Sequence, residues 1–158
     1  MIGQMTMSVV KLTSSDDLNK VLEIERRQWD LFDEDIEEAR DIDEFYAIFM
    51  DGDIVACIRV NTDPFFDWDE EDGNLEMMKQ LDPQIWIASL VVRPAYRGRG
   101  LAKRLKQHLH QLYSRIASGT SQSLSDPAMD HINEKMGYRV QEEREDCKIW
   151  FWNKDFDL

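Results

Sequence analysis

The stretch Ile85-Trp86-Ile87-Ala88-Ser89-Leu90-Val91-Val92-Arg93-Pro94-Ala95-Tyr96-Arg97-Gly98-Arg99-Gly100-Leu101-Ala102-Lys103-Arg104-Leu105 decides the reading of this chain. Its apolar opening, bounded by Pro83 and Pro94, predicts a central strand buried on both faces. Leu101, Leu105, Leu109, Leu112 and Ile116 then recur at helical spacing, which predicts an amphipathic helix of about four or five turns. Between the two, Gly98 and Gly100 stand directly before the helix start, where backbone N–H groups lack intrahelical partners. Glycine lets the backbone approach a ligand closely, and the helix dipole favours negative charge there. Such a strand-loop-helix binds a phosphate or pyrophosphate.

Arg97, Arg99, Lys103 and Arg104 gather around this loop in a chain that is otherwise acidic. The 158 residues carry 19 Lys and Arg against 32 Asp and Glu, a formal net charge of -13. The imbalance is uneven along the chain. Residues 1–84 hold 7 basic and 23 acidic side chains, a net of -16, whereas residues 85–158 hold 12 and 9, a net of +3. Two chemically different ligands meeting in one fold would produce such an asymmetry. The overall acidity speaks against nucleic-acid phosphates as partners and favours cations. The length suits one compact domain, and 42% hydrophobic and 10% aromatic residues suffice for a core. No apolar run approaches the roughly 18–20 residues of a membrane span, and the N-terminus lacks a secretory pattern, so a soluble, cytoplasmic protein without a membrane partner is expected.

Working outward, residues 8–12 read as a first strand. Ser14 or Ser15, followed by Asp16 and Asp17, caps a first helix that reaches Trp29. Residues 31–43 suggest a short acidic helix or lid. Residues 45–50 and 54–60 are strand-like runs joined by Asp51-Gly52-Asp53, a strong hairpin signal because glycine tolerates the positive φ of a tight turn. Residues 62–84 read as an irregular acidic loop, either solvated or forming an aromatic-lined mouth that attracts cations. Residues 118–125 form a weak strand. Asp126-Pro127 opens a last helix that stops at Gly137, and residues 138–144 and 148–153 close the chain as two strands. The second of these carries Trp150, Phe151 and Trp152, available for a homodimer contact or for core packing.

Cys57 and Cys147 are too few for a disulfide framework, and no metal-ligand spacing is present. His108 and His110, two apart on a helix, point about 200° from each other and cannot share a metal. The glycine loop is not a P-loop and lacks the G-x-G-x-x-G of a dinucleotide fold. Its position inside an ordered unit also argues against an Arg-Gly-Gly RNA-binding tail.

The segment Leu90 to Ala102 resembles the acyl-CoA-binding motif of the GNAT acyltransferase superfamily, R/Q-x-x-G-x-G/A, with Arg97, Gly100 and Ala102 in the fixed places. Asp126 to Tyr138, ending in Lys-Met-Gly-Tyr, resembles the later helix of that superfamily. The resemblance implies an α/β fold over residues 1–158 as a single domain: a mixed central sheet splayed between strands 4 and 5 and flanked by helices. It implies acetyl-CoA as co-substrate without a metal. The backbone of Leu90, Val91 and Val92 would hold its pantetheine arm. Arg97, Gly98, Arg99, Gly100, Leu101, Ala102 and Lys103 would hold its pyrophosphate. Residues 1–84 would form the acceptor-side half, suited to a cationic amine.

Two positions depart from the superfamily pattern. Asn133 stands where many relatives have a general-acid Tyr, and Trp86 stands where a Glu often serves as base. Asn133 would then hydrogen-bond the pantetheine or the acceptor. Ser89 is polar but a poor base, carboxylates of residues 62–84 or Asp126 are candidate bases acting through water, and Tyr138 and Tyr96 are candidate acids. Residues 56–64 and 85–89 also loosely resemble N-acyl amino acid and acyl-homoserine-lactone synthases. A non-catalytic acyl-CoA-binding or acidic interaction protein on the same fold is the alternative of a different class.

Overall fold

The computed structural model describes residues 8–28, 41–63, 74–121, 127–143, 145 and 147–157. The strands form a seven-stranded sheet in the order β1-β2-β3-β4-β5-β7-β6, counted in chain order. The chain divides into two compact units, one of residues 1–60 and 89–108, the other of residues 61–88 and 109–158.

The first unit begins with β1 (Val9–Leu12), antiparallel to β2 (Asp43–Met50) with Val9 opposite Ile48 and Leu12 opposite Phe45. Between them lies α1 (Ser15–Gln28). Ser14 caps it: the Asp17 N–H donates to Ser14 Oγ at 3.2 Å and the Leu18 N–H to the Ser14 carbonyl at 3.0 Å. Asp16 and Asp17 in the first turn and Arg26 and Arg27 in the last both complement the helix dipole. β3 (Asp53–Asn61) returns after Asp51 (φ 52°) and Gly52 (φ 85°), the paired left-handed residues of a two-residue hairpin. Leu12, Val21, Leu22, Phe45, Ala47, Ile54, Cys57 and Val91 pack into one core.

In the second unit, α2 (Asn74–Leu81) occupies part of the segment expected as an irregular loop. Met78 drives its formation: the side chain is fully buried against Ala117 and Phe151, with Met77, Leu81, Trp86 and Phe156 packed around them. The acidic residues around it mask this short apolar stripe in the sequence. Residues 64–73, and the acidic segment 31–40 expected as a helix or lid, lie outside the described residues.

β4 occupies Ile85–Val92, and α3 occupies Leu101–Leu112. The expected continuation of that helix to Ile116 is incorrect. Ile116 belongs to β5 (Arg115–Ser121), parallel to β4 with Ile85 opposite Ile116 and Ile87 opposite Ser118. The Gln84 carboxamide forces this break: its Oε1 accepts from the Ser114 N–H at 2.6 Å, the Ser114 hydroxyl at 2.9 Å and the Arg115 N–H at 3.2 Å. The helical spacing of Ile116 is coincidental, and the strand starts before residue 118, where the polar residues placed it. α4 (Pro127–Lys135) precedes β6 (Arg139–Glu143), which pairs antiparallel with β7 (Cys147–Asn153) across a bulge between Val140 and Glu142. β7 pairs antiparallel with β5 from Arg115–Asn153 to Ser121–Cys147. Trp150, Phe151 and Trp152 are buried within the chain, so these rings serve the core and do not face a second copy.

Candidate functional site

β4 is buried on one face only. Ile85, Ile87, Ser89 and Val91 are buried, while Trp86, Leu90 and Val92 are half-buried and Ala88 is exposed. The expectation of burial on both faces therefore fails, because the face carrying Ala88 and Leu90 is incompletely covered by the chain. Ser89 lies on the covered face. Its Oγ is buried and has no hydrogen-bond partner among the described residues.

The strand leaves through a single 3-10 turn, Pro94–Tyr96, in which the Tyr96 N–H donates to the Arg93 carbonyl at 2.8 Å. Arg97 folds back so that its Nε–H donates to the Val92 carbonyl at 3.2 Å, and the Arg99 guanidinium lies 5.1 Å from the centre of the Tyr96 ring. Gly98 and Gly100 adopt φ of 79° and 77°. A Cβ at either would meet nothing within 4 Å, so backbone conformation, not crowding, demands glycine.

The Arg104 N–H donates to the Gly100 carbonyl at 3.1 Å, which makes Gly100 the N-cap of α3. A glycine cap has no side chain to satisfy the amides of Leu101, Ala102 and Lys103, and the first turn holds no acid to offset the dipole. Leu101 and Ala102 are buried and anchor the turn, while Arg97, Arg99, Lys103 and Arg104 are exposed around it. Open helix amides, two glycines in the left-handed region and a ring of cations form a donor set that fits a pyrophosphate.

The structure thus brings Ser89, Leu90, Val91, Val92, Arg97, Gly98, Arg99, Gly100, Leu101, Ala102 and Lys103 together in the first unit. Asn133 and Tyr138 belong to the second. Asn133 lies buried in α4, and the Tyr138 N–H donates to its carbonyl at 2.9 Å, so the two are joined through the backbone. The Tyr138 hydroxyl lies 2.9 Å from His110 Nε2. Burial raises its pKa above the ordinary phenol value, so the hydroxyl keeps its proton at neutral pH.

Three features escape the sequence reading. His110 stacks flat on Trp152, with ring centres 3.7 Å apart and planes 5° apart. The spacing argument that separates it from His108 is silent about partners so distant in the chain. Glu25 and Asp43, both buried, converge on Arg59: Nε lies 3.0 Å from Glu25 Oε1, and Nη1 lies 2.7 Å from Asp43 Oδ2. Finally, Trp86 lies against Gly119, whose Cα could not carry a Cβ without that atom coming within 3.0 Å of the indole. Burial, followed by the charge of Glu25, pushes the Cys57 thiol up to about 12, which makes it an inert core residue. No cluster of metal-ligating side chains occurs among the described residues, and no helix among them is long and apolar enough to cross a membrane.

The mixed sheet, its parallel β4–β5 pair and the glycine-capped helix after β4 define the fold, and comparison with known proteins gives its family. The sequence profile of the acetyltransferase (GNAT) family matches residues 12–138, and the chain belongs to that family. No curated protein sequence matches it. Among solved structures, the ribosomal-protein-S18-alanine N-acetyltransferase from Escherichia coli superposes with a TM-score of 0.68 at 16% identity, covering 92% of each chain. A GNAT family acetyltransferase from Elizabethkingia anophelis with acetyl-CoA bound gives 0.62 at 13% identity, over 95% of this chain and 99% of the other. The PaiA N-acetyltransferase from Thermoplasma acidophilum in complex with coenzyme A gives 0.62 at 14%, over 93% and 99%. At these identities the likeness establishes the fold.

Proposed function

We propose that this protein is an N-acetyltransferase that moves an acetyl group from acetyl-CoA to the primary amine of a cationic small molecule, or of a basic peptide or protein, by direct attack in a ternary complex. One observation carries the reading: the turn from Arg97 to Lys103, with Gly98 and Gly100 at positive φ before the open amides of α3 and four exposed cations around it. Those residues hold the pyrophosphate, and the backbone of Leu90, Val91 and Val92 holds the pantetheine arm.

Acetyl-CoA supplies an activated thioester, and the protein's own groups handle position and protons. The cationic acceptor must lose a proton before it can attack. Ser89 is a poor base, so a carboxylate of residues 62–84, or Asp126, takes that proton through water. Asn133 cannot donate a transferable proton, so its carboxamide orients the pantetheine or the acceptor. Tyr138, held in its acid form, is the remaining proton donor. The -16 net charge of residues 1–84 supports a cationic acceptor, because it draws such a molecule toward the protein.

The test incubates the protein with acetyl-CoA and a panel of polyamines, aminoglycosides and basic peptides while free thiol is monitored. Thiol release with one class of amine is the expected result, and no binding of CoA at all would refute the proposal. The Trp86 indole, standing where the superfamily often has a base, favours a second reading: acyl-CoA binding without turnover. CoA binding with no thiol release on any amine would select it.

A further inference from the structure

We infer that His110 is a positioning residue for Asn133, acting through the Tyr138 hydroxyl; the inference rests on the proposed role of Asn133 in holding the pantetheine arm. The geometry forms one connected path inside the second unit. Trp152, paired with Ile116 in the sheet, offers a flat indole on which the His110 ring lies stacked at 3.7 Å. This contact fixes the plane of the imidazole, and so the direction in which Nε2 points. Nε2 meets the Tyr138 hydroxyl at 2.9 Å, and the two rings are tilted 35° with centres 5.3 Å apart. Tyr138 is thereby held at both ends, because its N–H donates to the Asn133 carbonyl at 2.9 Å.

The intervening backbone reverses at Gly137, whose φ of 88° only glycine adopts without strain. The Gly137 N–H also donates to the Glu134 carbonyl at 3.2 Å, and the Tyr138 N–H bond to Asn133 closes the end of α4 beside it. Asn133, 1% exposed, lies in that last turn. Shifting the Tyr138 ring shifts the carbonyl-bound turn and, with it, the Asn133 side chain. An aromatic residue after the glycine would serve packing alone; the bond from its hydroxyl to a stacked histidine adds orientation to packing.

The test measures CoA affinity calorimetrically for the full-length wild type and for Tyr138→Phe, His110→Ala, their combination, Asn133→Ala, and Asn133→Ala paired with Tyr138→Phe. KM for acetyl-CoA, kcat and melting temperature are recorded alongside. Tyr138→Phe and His110→Ala should each weaken CoA about fivefold, the scale of one lost hydrogen bond. The combination should be no weaker than either alone, and KM for acetyl-CoA should rise by the same factor as the affinity falls. In the Asn133→Ala background the Tyr138→Phe effect should vanish, which a general loss of packing would not produce. Tyr138→Phe keeps the ring and decides the matter if His110→Ala does not fold. Unchanged affinity with a lowered melting temperature overturns the inference, as does the same fivefold loss in the Asn133→Ala background or wild-type affinity in Asn133→Ala itself. Absence of CoA binding by the wild type overturns the proposed function and this inference together.

Discussion

Lys106 on α3 has only 2% of its surface exposed, and burial lowers its amine from the ordinary 10.5 to about 7. Between those two values the unfolded chain binds a proton that the folded chain does not. Stability therefore rises with pH through that window, and the cost of burying the charge is fully present below about pH 7. Lys106→Met removes the cost. The variant should melt above the wild type at pH 6, by an amount on the order of a few kcal/mol in stability. The gap should shrink as the pH is raised toward 10; a pH-independent gap would show that Lys106 is not buried as a titrating group. Its place beside Leu105 at the edge of the apolar stripe does not announce this burial. The same holds for Glu25, which the sequence places near the charged end of α1 and which the fold buries against Arg59.

At the scale of elements, the turn before α3 and the junction before β5 behave differently under mutation. Gly100→Ala forces a Cβ into the left-handed region at φ 77° and should destabilise the fold by about 1–2 kcal/mol while weakening CoA binding. Arg97→Glu leaves that backbone intact, so it should lower CoA affinity with little change in melting temperature. Equal CoA affinity in Arg97→Glu and wild type would remove the loop from the pyrophosphate site. Gln84→Ala deletes the acceptor of three hydrogen bonds at the start of β5 and should cost about 1 kcal/mol. Faster hydrogen exchange at the Ser114 and Arg115 amides is the measurement that checks it. The turn is legible in the sequence because glycines and a helix start dictate it locally. The junction is not, because Gln84 meets Ser114 only after the strand pairing has brought them together.

At the scale of the molecule, the net charge of -13 divides into an acidic stretch before residue 85 and a slightly basic one after it. If that acidity draws in a cationic acceptor, KM for the amine should rise severalfold as salt goes from about 20 to 200 mM, because the screening length shortens to below about 8 Å. A neutral amine should show no such rise in its own KM, and equal salt dependence for both would leave the acidity without a role in recognition. The sequence by itself determined the hairpin at Asp51-Gly52 and the succession of strand, glycine turn and helix that begins at Ile85. Each of these depends on neighbours within a few residues: alternation, capping and the φ that only certain side chains tolerate. Only the tertiary structure decided where α3 stops, that Met78 anchors a helix, that Trp150 to Trp152 are buried, and that His110 meets Tyr138. Those outcomes depend on which distant side chains share the space left by packing, and no local preference of the backbone encodes them.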